Sequence, residues 1–596
     1  MIRKTVFAFC ALAATAACSA APGRAYIFPW VELIGFDNTL PDYGVGAYLE
    51  KMPRNPDAIS LLLNSSDTFR NYPGAAAGDY TFPPTACSYR SRPYNSERRR
   101  QAWKASQLKG LVAELRRNGI EVYTSFFLFR TGEFVEDDVP GLAEKLVEFL
   151  SDFGFTGYHG ADGFAPPIHV LETRKLGSPL NGPEDPDRPR VAREEAKRYA
   201  DAWRLTVGKL KGKGLKCFIN TCWTLDPYEA LYRYGVDYRL LAETGIDGFI
   251  VESSASAKLL LHEQPATAAA RLDRSIAMLM RLKAACPKVP LILLHTIHDG
   301  TEQWSAIRHA PCAMRAEGIS MGGVFFGNRH ALDGYLPCLS DALTKDEWTG
   351  LFKVWDLGLA PATAPFGLRY VWSDRAFDAE FDACAASLDC SSSTFLAEML
   401  HHGAMVNSAV RVEDALADPS IPLLIVNPKF FPPDELAALR RRQVRVYLVG
   451  QGSGAPDFQK FELKPPEKRV FPFNRFWDPL PENMPPIEVI QRAAGNASPP
   501  TLVSETPGVR LCGYHLANGR FALLARNEND TYANAKIRVG MEVADILTHT
   551  DFPSSPIKTT IAFRIAPHDT SFLSLGEHES PLPGQPISVP GKETGK

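Results

Sequence analysis

Two acidic side chains sit in sequence contexts where they can do chemistry. Asp162 lies in Gly157-Tyr158-His159-Gly160-Ala161-Asp162-Gly163-Phe164, among small residues that let a ligand approach closely. Glu252 ends the apolar run Gly248-Phe249-Ile250-Val251 before Ser253 and Ser254, a setting that raises a carboxyl pKa by desolvation. One carboxylate that attacks or activates water, opposite a second that stays protonated and donates, is the pair that cleaves glycosidic bonds. Asp162 suits the nucleophile or base, and Glu252 the acid. Asp67, Asp226 and Asp299 are reserve carboxylates, each after a different apolar run. His295, His298 and Asp299 fall in the densest polar cluster of the chain, and His159 precedes Asp162 closely; such histidines orient a carboxylate or hydrogen-bond a hydroxyl. Trp223 and Trp304 offer flat apolar faces to a sugar ring. Arg70, Arg130 and Arg329 are bidentate donors that a carboxylate-bearing sugar would need.

For each of these residues a plainer role stands beside the chemical one. Asp-Gly is a common turn pair, a buried Glu often pairs with a neighbouring cation, and rim arginines often pair with loop acids. The polar cluster at His295, His298 and Asp299 is also the local set on which a metal-dependent hydrolase would have to be built; no CxxC or HExxH spacing supports one, so neither metal nor cofactor is expected.

What must position these groups is a series of eight short apolar runs alternating with amphipathic helices. The runs are Tyr26 to Leu33, Ala58 to Leu63, Glu121 to Phe127, Gly157 to Asp162, Leu215 to Asn220, Gly248 to Glu252, Pro290 to His295 and Gly322 to Gly327. Helices at Trp103 to Asn118, Val139 to Phe153, Val191 to Lys211 and Thr267 to Ala285 show apolar recurrence at three and four, and Asn118-Gly119 and Lys213-Gly214 are helix stops. Eight such alternations read as an α/β (β/α)8 TIM barrel, whose reacting groups lie at the C-terminal ends of the strands. An open doubly wound sheet would want a phosphate-binding glycine loop after the first strand, and Gly35-Phe36-Asp37 is not one.

Beyond Trp348 the pattern changes. Leu368 to Trp372, Leu423 to Asn427 and Val444 to Val449 read as parallel strands, with a helix from Pro433 to Arg442, giving a small flavodoxin-like α/β domain. Gly450 to Gly454 reads as a plain loop, because Ala455-Pro456 follows where a phosphate-binding helix should open. A Pro- and aromatic-rich linker from Val470 to Pro486 leads to a C-terminal β-sandwich, signalled by the Asn518-Gly519 hairpin. The expected domains are a signal peptide at 1–22, the barrel at 23–355, the flavodoxin-like domain at 356–470, the sandwich at 487–578 and a disordered tail at 579–596.

The chain has 596 residues, 65 Lys+Arg against 68 Asp+Glu, and 45% hydrophobic residues, a balance that fits several globular domains and argues against a nucleic-acid partner. Arg3 and Lys4 before the apolar Val6 to Ala17 form a secretory signal, and Thr15-Ala16-Ala17-Cys18 resembles a lipobox, so a secreted protein or a periplasmic or outer-membrane lipoprotein of a bacterium is expected, without a membrane-spanning segment. Nine of the 11 cysteines lie downstream of that signal; an odd set leaves at least one thiol free, and Cys384 and Cys390 are close enough in sequence to pair.

The module order resembles that of glycoside hydrolases of family 42. The resemblance is carried by the eight runs, by Pro422-Leu423-Leu424-Ile425-Val426-Asn427-Pro428 and Arg445-Val446-Tyr447-Leu448-Val449-Gly450, and by Asn518-Gly519. It implies a catalytic barrel, an amidotransferase-like domain that serves trimerisation, a small β-domain and a homotrimer. The catalytic motifs depart from that family: Ala161-Asp162 replaces its Asn-Glu pair, and the seventh strand ends in His. An Asp on strand four with an acid on strand six is similar instead to α-glycosidases of families 36 and 31. Secretion and the arginines also resemble family 181 sialidases, which with an acidic sugar would use a tyrosine, here Tyr158, Tyr123 or Tyr89, as nucleophile. The expectation is therefore an exo-acting glycosidase with an oligosaccharide or glycoprotein glycan as its partner, sialic acid slightly ahead of neutral galactose, or else a noncatalytic glycan-binding surface protein.

Overall fold

The computed structural model describes residues 26–577 apart from internal stretches, chiefly 64–68, 83–102, 129–137, 161–170, 172–179, 222–225, 253–264, 297–317, 323–344, 385–391 and 450–501. The signal segment with Cys18, the linker at 470–486, the Asn518-Gly519 turn and the tail at 579–596 lie outside the described residues, as do Cys390 and the Gly450–Gly454 loop.

Eight parallel strands close into a barrel in chain order: β1 (Tyr26–Glu32), β2 (Ala58–Leu62), β3 (Glu121–Phe126), β4 (Gly157–Gly160), β5 (Lys216–Asn220), β6 (Gly248–Glu252), β7 (Leu291–Thr296) and β8 (Gly318–Gly322). Parallel strands buried on both faces read as near-continuous apolar runs, which is why seven of the eight are found where the sequence puts them. The eighth is a correction. Closure demands a strand in register with both β1 and β7, and Gly318–Gly322 supplies it, pairing Ile319 with Ile27 on one side and Leu293 on the other. Run length favoured Gly322 to Gly327; register favours the earlier alternation of small and apolar residues.

Around the barrel run α1 (Val45–Glu50), α2 (Ala105–Arg117), α3 (Val139–Phe153), α4 (Arg188–Lys211), α5 (Pro227–Tyr234), α6 (Tyr238–Ala242) and α7 (Pro265–Ala285). Local chemistry sets their ends. The Asp138 carboxylate accepts from Gly141 N at 2.9 Å to cap α3, and Gly154 closes that helix at φ 72°, a left-handed conformation that costs glycine no steric penalty. Amphipathic α2 turns Leu108, Leu111, Val112 and Leu115 inward, and all four are buried.

Helix α8 (Lys345–Gly358) leads out of the barrel. The next strand, β9 (Ala362–Pro365), pairs not with its chain neighbours but with β15 (Val509–Leu516), so the chain lends a strand to the C-terminal unit before building its middle one. The middle unit has four parallel strands in the order β11 (Val406–Arg411), β10 (Leu368–Trp372), β12 (Leu423–Val426), β13 (Val446–Val449). With it go α9 (Asp374–Cys384), α10 (Ser392–His401), α11 (Val412–Ala417) and α12 (Pro433–Arg440).

The C-terminal unit has two antiparallel sheets. One contains β14 (Leu502–Ser504), β17 (Ala533–Val539), β20 (Thr560–Ile565) and β19 (Ser555–Ile557); the other contains β18 (Val543–Thr548), β21 (Thr570–Glu577), β16 (Phe521–Asn527), β15 and β9. Leu523, Leu573 and Leu575 of one sheet and Ile537 and Ile561 of the other share a core. Among the described residues no helix is long and apolar enough to cross a membrane.

Candidate active site at the barrel mouth

The barrel interior is built in layers from alternate strands, as steric filling of an eight-stranded barrel requires. At the N-terminal end, Glu121 accepts from Tyr123 Oη at 2.7 Å and Tyr26 Oη at 3.4 Å and pairs with Lys216 Nζ at 2.5 Å. Above it Phe28, Tyr123 and Phe218 meet with ring centroids 4.9, 5.2 and 5.3 Å apart, beside Ile292. The even strands then contribute Ser60, His159 and Ile250, the odd strands follow with Trp30, Ser125, Asn220 and Leu294, and Leu62 of β2 lies one step nearer the C-terminal mouth.

His159 is fully buried in this stack, 5.1 Å from the Trp30 ring and 5.9 Å from that of Phe28. Its Nδ1 lies 2.9 Å from Ser60 Oγ and its Nε2 2.5 Å from Asn220 Oδ1. Burial pushes the imidazole pKa down to about 4, against a smaller opposing effect of the Asn220 hydrogen bond, so the ring is neutral near pH 7. Because Asn220 Oδ1 can only accept, Nε2 carries the proton and Nδ1 accepts from the Ser60 hydroxyl. Both ring nitrogens are thereby used inside the barrel.

Glu252 is the last residue of β6, in register with Leu294 of β7. His295 lies in β7, in register with Met321. Asp162 follows just after β4 in the sequence but lies outside the described residues, as do Arg130, Trp223, His298, Asp299, Trp304, Arg329, Asp67 and Tyr89. Arg70 is half-buried and donates through Nη2 to the Leu128 carbonyl at 3.0 Å, tying itself to the segment after β3. The strand β8 ends at Gly322, seven positions before Arg329 in the sequence.

Three expectations change in the structure. Tyr158 faces the helical shell, where its hydroxyl donates to the Phe126 carbonyl at 2.5 Å and burial holds the phenol well above its usual pKa. Tyr123 lies deep in the barrel on Glu121, below the mouth. Neither is placed to act as a nucleophile there. Asp226, a reserve carboxylate, is structural: its Oδ1 caps α5 by accepting from Tyr228 N and Glu229 N at 3.0 Å, and its Oδ2 takes Arg281 Nε at 2.7 Å.

That ion pair lies on a junction between units. Arg281 of α7 also donates through Nη1 to Tyr370 Oη of β10 at 2.6 Å, and the same helix offers Asp273 to Arg526 of β16 at 3.0 Å. A single barrel helix thus carries buried polar contacts to both other units. Burial penalises the Arg281 charge, yet Asp226 beside it, with Tyr370 and Glu380, holds its pKa above the usual value. Cys217 and Cys286 are buried and unpaired, and burial raises both thiols far from reactivity. Among the described residues no cluster of His, Cys, Asp or Glu could hold a metal ion.

Sequence reasoning missed Trp30, Ser60, Ser125 and Asn220. The signal was present: each is a polar or amphipathic residue inside or at the end of an apolar strand run. None of the four is ionisable near pH 7 and none follows a run, so strand-end charge does not mark them.

No family model matches the sequence, and no curated protein matches it. Among solved structures, a β-galactosidase from the psychrophilic Marinomonas ef1 aligns over 92% of this chain and 99% of its own at 10% identity, with a TM-score of 0.52. A glycoside hydrolase family 30 subfamily 8 xylanase of Clostridium acetobutylicum aligns over 94% and 98% at 8% identity, with a TM-score of 0.35. At 10% identity the likeness to the Marinomonas enzyme shows the fold alone, over nearly the whole length of both chains.

Proposed function

We propose that this protein is an exo-acting glycoside hydrolase that works outside the cytoplasm and releases a terminal sugar from complex glycans, with Asp162 and Glu252 as its carboxylate pair. One observation carries the reading: in a closed eight-stranded barrel, Glu252 ends β6 and Asp162 follows β4, so two strand-end carboxylates come from nonadjacent strands around one mouth. The likeness in fold to a β-galactosidase supports it, and the basic and apolar N-terminus supports the compartment.

A neutral terminal sugar is the better-supported substrate. The acidic alternative needed three converging arginines, and Arg70 already donates to the Leu128 carbonyl. The flavodoxin-like reading of the middle unit, the sandwich reading of the C-terminal unit and a homotrimer complete the proposal; sedimentation of the mature protein tests the last.

The deciding experiment is a release assay on mature protein with a mucin-type glycan mixture, identifying freed monosaccharides by mass. Asp162→Asn and Glu252→Gln should each lower release by about a hundredfold or more; losses under about tenfold in both would sink the pair. Free sialic acid would restore the acidic reading. Glycan binding without release, in wild type as in both variants, would make the protein a binding module.

A further inference from the structure

The odd-strand layer one step below Leu62 and the mouth is chemically unfinished. Trp30 Nε1, Ser125 Oγ and Asn220 Nδ2 are buried and have no hydrogen-bond partner among the described residues. They come from β1, β3 and β5 and surround the same imidazole: Trp30 by ring contact, Ser125 by strand register and Asn220 by hydrogen bond. Buried polar groups are nearly always satisfied, and a lone exception costs stability. Three at one level of one barrel, on the side where barrel sites form, call for an acceptor from outside the protein.

Their chemistry specifies that acceptor. An indole N–H and an amide NH₂ only donate, and a serine hydroxyl donates or accepts. The fourth member of the layer, Leu294, is apolar, and the layer holds neither a cation nor a carboxylate. A carboxylate ligand would want a charged partner here; a neutral hydroxyl oxygen would not. The edge of a sugar ring offers several such oxygens beside a C–H face that Trp30 and Leu294 can cover. The relay beneath fixes the polarity: Ser60 donates to His159, and His159 donates to Asn220 Oδ1, so the Asn220 amide can present only its NH₂.

We propose that Trp30, Ser125 and Asn220 form the floor of a subsite that receives the hydroxyl edge of a neutral sugar, with Ser60 and His159 as positioning residues that hold Asn220 as a donor. The inference deepens the glycosidase reading, since it uses the same barrel mouth, and it is tested by binding rather than by turnover.

Mature full-length protein is titrated calorimetrically with galactose, fucose, N-acetylglucosamine and N-acetylneuraminic acid. Wild type should bind at least one neutral sugar in preference to the acidic one. Asn220→Asp keeps an acceptor for His159 and loses the donor; Ser125→Ala removes an orphan hydroxyl. Each should raise the Kd about tenfold, the worth of one buried hydrogen bond, while Ser125→Ala leaves the Tm unlowered. Ser60→Ala should weaken binding in the same direction and Ser60→Thr restore it. Failure of every neutral sugar to bind, preference for the acidic sugar, or a Kd unchanged in both Asn220→Asp and Ser125→Ala overturns the proposal; should Asn220→Asp not fold, Ser125→Ala decides alone. Sugar release that persists with unaltered binding in the variants would sink the floor and keep the glycosidase. Binding lost in the variants of a protein that releases nothing would keep the floor and sink the glycosidase.

Discussion

Two buried polar networks belong to the same barrel, one inside it and one on its helical shell, and they solve the problem of burial differently. Asp226, Arg281 and Tyr370 hold formal charge between α5, α7 and β10, where desolvation is severe and each charge needs its counterpart. Ser60, His159 and Asn220 hold none, because burial keeps the imidazole neutral. A charged network cannot lose a member cheaply and so serves as a joint between units. A neutral relay can end in an unused donor at modest cost, and that end is available to a ligand.

The largest expected effect attacks the charged network. Arg281→Met leaves the fully buried Asp226 carboxylate without its cation and should cost about 3 to 5 kcal/mol, read as a large fall in calorimetric Tm. Adding Asp226→Asn should recover part of the loss; if the single and double variants melted alike, the ion pair would not be the joint described.

The neutral network should show itself through pH. His159 has its folded pKa depressed to about 4 from 6.5, so between those values the unfolded chain binds the extra proton. Stability should therefore rise with pH across that window, be complete above about pH 6.5 and be lost as pH falls toward 4, an effect on the order of 3 kcal/mol. Replacing the ring in His159→Gln should flatten the slope; an unchanged pH dependence of unfolding would mean that the imidazole is not held neutral.

A smaller effect separates a neutral bond from the charge it touches. Tyr370→Phe removes one hydrogen bond to Arg281 while leaving Asp226 paired, and should cost about 1 to 2 kcal/mol, well below the Arg281→Met loss. Smallest of all, Ser125→Ala should change stability by no more than about 0.5 kcal/mol, or raise it, because the hydroxyl has no partner to lose among the described residues. A loss above about 1 kcal/mol would show that the hydroxyl is already satisfied in the free protein.

The comparison also shows what could be read from residues alone. Asp226 looked like a reserve carboxylate, yet Asp226-Pro227 is a helix start, and its partner Arg281 lies on a helix far along the chain. His159 looked like a rim ligand because it precedes Asp162, but strand alternation puts it on the inward face, where Ser60 and Asn220 meet it from β2 and β5. Tyr158, its neighbour, takes the outward face for the same reason.

The sequence by itself determined the barrel and seven of its strands, since parallel strands covered on both faces must be apolar throughout and the helices between them must be amphipathic. It also determined the ends of the helix between Asp138 and Gly154, where capping is a local interaction. Tertiary structure decided the eighth strand, because closure is a matter of register with two distant neighbours. Tertiary structure alone also brought β9 to β15, Arg281 to Tyr370, and Trp30, Ser125 and Asn220 into one layer. Those juxtapositions depend on which residues share a height in a closed sheet, and no local pattern along the chain encodes a height.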